Sequence, residues 1–294
     1  MTTFNEPQEE LPNKIIYLGH YAAGKTGSLA SLAASGKNVR ILDIDKKTQI
    51  LRDYMLNESQ SIYRRAMPGL WTAEQAKGTA GRLSFVSMDE TMVLAGAKGK
   101  ERYVPKGDLW GKAMEQMNDW KDGPDRTFGN IGTWGPDDVL VIDGLSRLSQ
   151  AAMDQQLAIS GNIANFGTKS GDYRPDTYNA QIMIARLLQT LQSSAVKCHV
   201  IVICHIALTA NEVGISEGFP QTVGSKFAPK IGQYFSHALL AKQVGDRRVI
   251  QTSAGGMVKL MTPAPLRVKA EYPLETGLAE YFRDVKGSDG ATAK

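Results

Sequence analysis

The chain has 294 residues, of which 42% are hydrophobic and 22% charged. That composition excludes wholesale disorder, collagen and low-complexity fibres, and the length suffices to bury a core without disulfides or structural metal. Net charge is +4, from 34 basic and 30 acidic side chains, which permits nucleic-acid binding without demanding it. The two cysteines, Cys198 and Cys204, lie in one apolar run and read as core residues in a reducing cytosol rather than a disulfide framework. The acidic opening MTTFNEPQEELPNK lacks the apolar stretch of a signal peptide. The longest apolar runs, VIVIC and VLVI, fall far short of the ~20 residues of a membrane span. A cytoplasmic protein with no membrane contact is expected.

A polar tail, 1–13, precedes the first apolar run, Lys14–Gly19 (KIIYLG). Short continuous runs of this kind suit parallel strands buried on both faces. A Gly-containing turn leads to Lys25–Ser35, with Leu29, Leu32 and Ala33 at helical spacing and Gly36 at the expected stop. Val39–Asp45 (VRILDID) is a second strand ending in acids, completing a βαβ unit. Thr48–Asn57 reads as a helix and Leu83–Ser87 as a strand. Residues 98–108 (KGKERYVPKGD) read as a charged loop, Leu109–Lys121 as a helix, and 121–138, dense in turn residues, as a long loop.

From Asp138 the pattern sharpens. Val139–Asp143 (VLVID) is a buried strand, Leu145–Ile159 a helix, 161–176 a polar irregular stretch and Thr177–Ser194 a long helix. His199–Cys204 (HVIVIC) is a third buried strand. A long Gly-rich loop is expected over 209–224, then a hairpin of 236–243 with 248–253 around Gly245–Asp246. The domain expected is 14–283, with 284–294 a flexible tail.

Gly19-His20-Tyr21-Ala22-Ala23-Gly24-Lys25-Thr26 matches G-x-x-x-x-G-K-[ST] in full. Glycines let backbone N–H groups, through Gly27, curl around phosphate oxygens. Lys25 supplies a compact charge to the β/γ-phosphates, and Thr26 offers a hydroxyl to Mg²⁺. The motif follows a predicted strand and opens a predicted helix, which is its confirming context. Asp143, at the end of the VLVID strand, is placed to meet Mg²⁺ as a Walker B acid. Gly144 follows it, so a water-activating base must come from elsewhere. Candidates are Asp43 and Asp45, with Asp45 further past its strand and freer to reach a water, and Glu90 as a weaker alternative. His205 ends the HVIVIC strand, where a polar group can touch the γ-phosphate. The Cys198-His199 and Cys204-His205 pairs lack metal-finger spacing.

The order of these pieces resembles a RecA-like ATPase core, over about residues 14–260. More closely it resembles the minimal RecA-like ATPases that phages encode as recombination or single-strand annealing proteins. The resemblance is carried by GHYAAGKT and VLVIDG, with support from LDID and ICH. It implies an α/β fold: a RecA-like P-loop NTPase core, a mostly parallel sheet flanked by helices, with a C-terminal antiparallel hairpin. It implies ATP and Mg²⁺ as cofactors, a homo-oligomer, and host-cell cytoplasm as the location. In that family the catalytic acid after the P-loop helix is commonly Glu; this chain has Asp45. The family's DNA-facing loops correspond to 160–176 and 209–230, and a cation reaches the site from the neighbouring subunit. Lys226, Lys230, Arg247 and Arg248 are candidates for that cation.

The residues of those loops suit single-stranded DNA independently. Lys169, Tyr173 and Arg174 in the first, and Phe219, Lys226 and Lys230 in the second, interleave cations with rings that can stack on bases. A P-loop kinase with a lid over 98–130, and a non-catalytic nucleotide-dependent switch, are the competing expectations.

Overall fold

A computed structural model describes residues 11–48, 51, 82–96, 98–99, 101–165, 172–210, 216–254 and 256–287. In chain order its elements are β1 (Lys14–Gly19), two short helices α1 (Lys25–Ser28) and α2 (Ala30–Ala34), β2 (Asn38–Asp43) and β3 (Leu83–Ser87). A hairpin of β4 (Met92–Ala95) and β5 (Arg102–Pro105), helix α3 (Leu109–Asn118) and a second hairpin of β6 (Trp120–Gly123) and β7 (Arg126–Gly129) follow. Then come β8 (Asp138–Asp143), α4 (Leu145–Ile159), α5 (Arg174–Gln192) and β9 (His199–Cys204). A third hairpin, β10 (Ile206–Ala210) with β11 (Ser216–Pro220), leads to β12 (His237–Val244), β13 (Arg247–Gln251), β14 (Glu271–Pro273) and α6 (Gly277–Lys286).

Eight strands form the central sheet, in the order β14-β13-β12-β1-β9-β8-β2-β3. The six from β12 to β3 are parallel, and β13 and β14 extend them antiparallel. Strand β9 lies between the P-loop strand β1 and the acid-bearing β8. With helices on both faces, this is the expected α/β core with a mostly parallel sheet and a C-terminal antiparallel hairpin. Alternation along the strands divides the apolar side chains between two cores. Ile16, Leu18, Leu42, Leu140, Ile142, Val200 and Val202 face one way, onto α3, α4 and α5. Ile15, Tyr17, Val39, Ile41, Val139, Val141, Ile201 and Ile203 face the other, onto α1, α2 and α6. Each such side chain contributes about 1.5–3 kcal/mol on burial, so runs buried on both faces hold their register firmly. Both cysteines are buried and unpaired.

Parallel pairing brings the strand ends that carry chemistry to one edge. Asp43 stands opposite Asp143 across β2 and β8, and Ile203 opposite Asp143 across β9. The carboxyl ends of β1, β2, β8 and β9 therefore share the edge where ligands bind in such sheets.

Several expectations about the less apolar segments need correction. The stretch 121–138 contains most of the hairpin β6–β7, which turns at Pro124–Asp125. Residues 98–108 contain β5, and 209–224 contains most of the hairpin β10–β11. Helix 25–35 divides at Leu29. The helix from Leu109 stops at Asn118, because Trp120 turns into β6, where it is fully buried and donates Nε1–H to Ser84 Oγ at 2.8 Å. Helix α5 starts three residues before the expected Thr177. Of the helix expected over 48–57, all but Thr48 and Leu51 lies outside the described residues. Among the described residues no helix is long and apolar enough to cross a membrane.

Candidate functional site

The loop between β1 and α1 is shaped by glycine where nothing else fits. A Cβ on Gly19 would lie 2.8 Å from the Ala241 carbonyl of β12, and one on Gly24 would lie 2.3 Å from Leu274 Cδ2. Gly24 also has φ +88°, which side chains disfavour. His20, Tyr21 and Ala22 are exposed at the crest of the loop, whereas Ala23, Lys25, Thr26 and Gly27 are buried. The Lys25 ammonium donates to the Gly19 and His20 carbonyls at 2.8 and 2.9 Å, so the loop arches over it. Burial lowers the Lys25 pKa to about 8. The nearby Lys47 adds to that effect and Asp143 opposes it.

Thr26 and Asp143, 117 residues apart in sequence, meet in a hydrogen bond of 2.6 Å from Thr26 Oγ1 to Asp143 Oδ2. Burial raises the Asp143 pKa to about 6. The Thr26 hydrogen bond counteracts this, while the charges of Asp45 and Asp43 add to it. A hydroxyl and a carboxylate side by side are hard oxygen donors of the type that Mg²⁺ takes.

Local geometry separates the three candidate bases. Asp43 is buried and serves as a cap. It accepts the N–H of Lys47 at 2.9 Å and of Thr48 at 3.3 Å, and the hydroxyls of Thr48 and Ser87. Glu90 receives the backbone N–H groups of Gly107, Asp108 and Leu109 and so clamps the start of α3. Asp45 is neither. Its Oδ2 lies 3.0 Å from Lys47 Nζ and 3.3 Å from His205 Nε2, and those two nitrogens are 3.3 Å apart. The structure thus brings Asp45 and His205 together and adds Lys47, which the sequence reading passed over. The available signal was its place two residues beyond Asp45. Burial, then the charges of Lys25 and Lys47, lower the His205 pKa against the pull of Asp45.

Gly144 also has a reason to be glycine. A Cβ there would stand 2.6 Å from Asp45 Oδ1, at φ +118°. The space that a side chain at 144 would take is filled by Asp45, which follows the neighbouring strand β2. Its backbone N–H donates to the Asp143 carbonyl at 3.2 Å.

Beyond His205 the chain enters the hairpin β10–β11, closed at its root by Gln221 N–H donating to the His205 carbonyl at 2.8 Å. Phe219 sits on β11 opposite Ala207 and is half-buried. Lys226 and Lys230 are exposed. The segment after β11 rests on α5, where Gln181 Nε2–H reaches the Val223 carbonyl at 3.4 Å. Arg174, at the first turn of α5, is exposed and paired with Asp172 at 2.8 Å. Tyr173 packs on the core beneath and donates its hydroxyl to the Asn165 carbonyl. Lys169 lies outside the described residues. Of the cations considered for a neighbouring site, Arg248 lies beside Gly24 of its own loop; a Cβ there would be 3.5 Å from Arg248 Cδ. Arg247 and Arg248 line a cavity of about 530 Å³ together with Glu271, Tyr272 and Glu275. Among the described residues no cluster of His, Cys, Asp and Glu could hold a metal by itself.

No family model matches the chain, and no curated protein matches it. Among solved structures, the crystal structure of the RadB recombinase is similar over 91% of this chain and 90% of its own, with 12% sequence identity and a TM-score of 0.43.

Proposed function

We propose that this chain is an ATP-hydrolysing RecA-like protein that assembles with copies of itself and binds single-stranded DNA. It would belong with the minimal phage-type ATPases of recombination, annealing or replication. The observation that carries this reading is the meeting of Thr26 Oγ1 and Asp143 Oδ2 at 2.6 Å beside the arched loop over Lys25. The donor set fits Mg²⁺, and the side-chain-free approaches at Gly19 and Gly24 fit a polyphosphate cradle. Bound Mg²⁺ supplies charge neutralisation at phosphate oxygens.

The chain's own groups then divide the work. Backbone N–H groups from His20 to Gly27 and the Lys25 ammonium hold phosphate oxygens. Thr26 and Asp143 hold the metal. Asp45 orients a water and takes its proton on Oδ1, while Lys47 and His205 fix Oδ2. His205 leads directly into β10, so a shift at the phosphate end biases the hairpin beyond it. Lys226, Lys230 and Arg247 are cations available to a neighbouring copy.

Fluorescence anisotropy of a labelled oligonucleotide at several salt concentrations, with and without ATP, tests the DNA half of the reading. A sizing run with ATP accompanies it. Binding that ATP strengthens and salt weakens is expected, as is an ATP-dependent assembly. No binding at low salt in either state contradicts it. Phosphate transfer to a small acceptor would instead indicate a kinase, and assembly without turnover a switch.

A further inference from the structure

The hairpin β4–β5 belongs to neither core sheet nor nucleotide site, yet it is firmly built. Lys106 N–H donates to the Thr91 carbonyl at 2.7 Å, and Thr91 N–H to Asp108 Oδ1 at 3.1 Å, closing its base. At Gly107 the base sits so close to α4 that a Cβ would lie 2.9 Å from the Asp154 carbonyl. Strand alternation gives the hairpin two faces. The Val93–Val104 pair points inward, with Val104 buried. The other face turns Met92, Leu94 and Tyr103 to solvent, at 51%, 61% and 73% exposure, with Tyr103 directly opposite Leu94. Large side chains are rarely left this open in a row without a partner.

Position and charge indicate what the partner is. Arg102, beside Tyr103, donates to the Ala164 carbonyl at 2.5 Å. That bond ties the hairpin to residue 164, within 160–176, the first of the two segments expected to face DNA. Residues 98–106 carry four cations, Lys98, Lys100, Arg102 and Lys106, against one carboxylate, Glu101. An exposed ring in a basic segment is the composition of a platform for single strands, because rings stack on bases while ammonium groups pair with phosphates. A second copy of this chain, itself mildly basic, is a poorer match for such a patch. Tyr173, the ring expected to stack in the neighbouring segment, has its hydroxyl committed to Asn165 and its ring to the core.

We propose that the hairpin β4–β5 is a single-stranded DNA contact, with Tyr103 of its outward face as the stacking ring and Lys98 and Lys106, exposed at its tip and base, as phosphate partners. This rests on the DNA-binding reading above and extends the binding surface by a hairpin whose second strand, β5, lies in the stretch 98–108 expected to be a loop.

The test uses the full chain, Mg²⁺-ATP and a labelled oligothymidine, comparing wild type with Tyr103→Ala, Tyr103→Phe and the double variant Lys98→Ala, Lys106→Ala. Tyr103→Ala should weaken binding by about five- to a hundredfold, and Tyr103→Phe should bind as wild type, since stacking needs the ring and not the hydroxyl. The double variant should lower the salt slope by about two phosphate contacts. ATP turnover without DNA should be unchanged in all three. Wild-type binding with unaltered variants would overturn this inference alone. Absence of wild-type binding would overturn it together with the DNA reading. Loss of self-assembly by Tyr103→Ala, with DNA affinity intact, would make the face an interface between copies and overturn the proposal as well.

Discussion

Asp43 and Asp45 stand two residues apart, and their surroundings assign them opposite work. Asp43 is saturated by backbone and hydroxyl donors, so Asp43→Asn should destabilise the fold by about 1–3 kcal/mol, through a lost acceptor in a buried network. Asp45→Asn should leave the melting temperature nearly unchanged and slow ATP turnover with little loss of ATP affinity, as for a group acting in the transition state. Thermal melts, turnover and nucleotide titration of the two variants check this; a melt change at Asp45 and a turnover change at Asp43 would reverse the assignment. Gly144→Ala tests the same carboxylate from its other side. The new methyl would overlap Asp45 Oδ1, so turnover should fall while ATP binding persists. At this scale the sequence made the P-loop and the acid of VLVID legible because their motifs are rigid in spacing. It left Asp43, Asp45 and Glu90 open, because whether a carboxylate caps a helix or stays available depends on donors such as Ser87 and Gly107, which are distant in sequence.

Elements show the same dependence on context. Strands β1, β2, β8 and β9 were readable because each is buried on both faces and so is mostly apolar. The three hairpins outside the central sheet were not. Their strands are four or five residues long and carry one solvent face, so even the apolar ones, MVLA and IALTA, are too short and too isolated among turn residues and charge to stand out. Trp120 shows what was missed. It reads as the last turn of α3, yet it belongs to β6, packs edge-on to Trp134 with ring centroids 5.5 Å apart, and holds Ser84 of β3. Trp120→Ala should therefore cost about 3–5 kcal/mol, the usual range for a large buried ring. Urea melts would show this as a lower midpoint; a midpoint within error of wild type would mean that β6–β7 is not anchored through this ring.

The whole molecule carries a pH response at the edge opposite the nucleotide site. His199 and His237 open β9 and β12, and both contact α6. His199 lies edge-on to Phe282, and His237 Nδ1 is 2.7 Å from the Tyr281 hydroxyl. Burial lowers both pKa values to about 4; the charge of Lys37 adds to this for His199, and His199 for His237. The folded chain thus binds fewer protons than the unfolded chain between the ordinary histidine value of about 6.5 and about 4. The stability these neutral rings contribute is present above that window and is lost as pH falls through it. The loss is at most ~1.4 kcal/mol per pH unit for each ring. Urea midpoints should decline from pH 7 to pH 4.5, and replacing both histidines with glutamine should flatten the decline.

The account as a whole turns on whether the arch over Lys25, the Thr26–Asp143 contact and the carboxylate of Asp45 form one ATP-hydrolysing site coupled to DNA. Steady-state ATP turnover of the full chain in Mg²⁺, with and without single-stranded DNA and with Lys25→Ala as the paired sample, measures this directly. The account predicts turnover by wild type that rises when DNA is added, and none by a folded Lys25→Ala variant. Equal turnover by the two proteins, or no turnover by wild type in either condition, would contradict it.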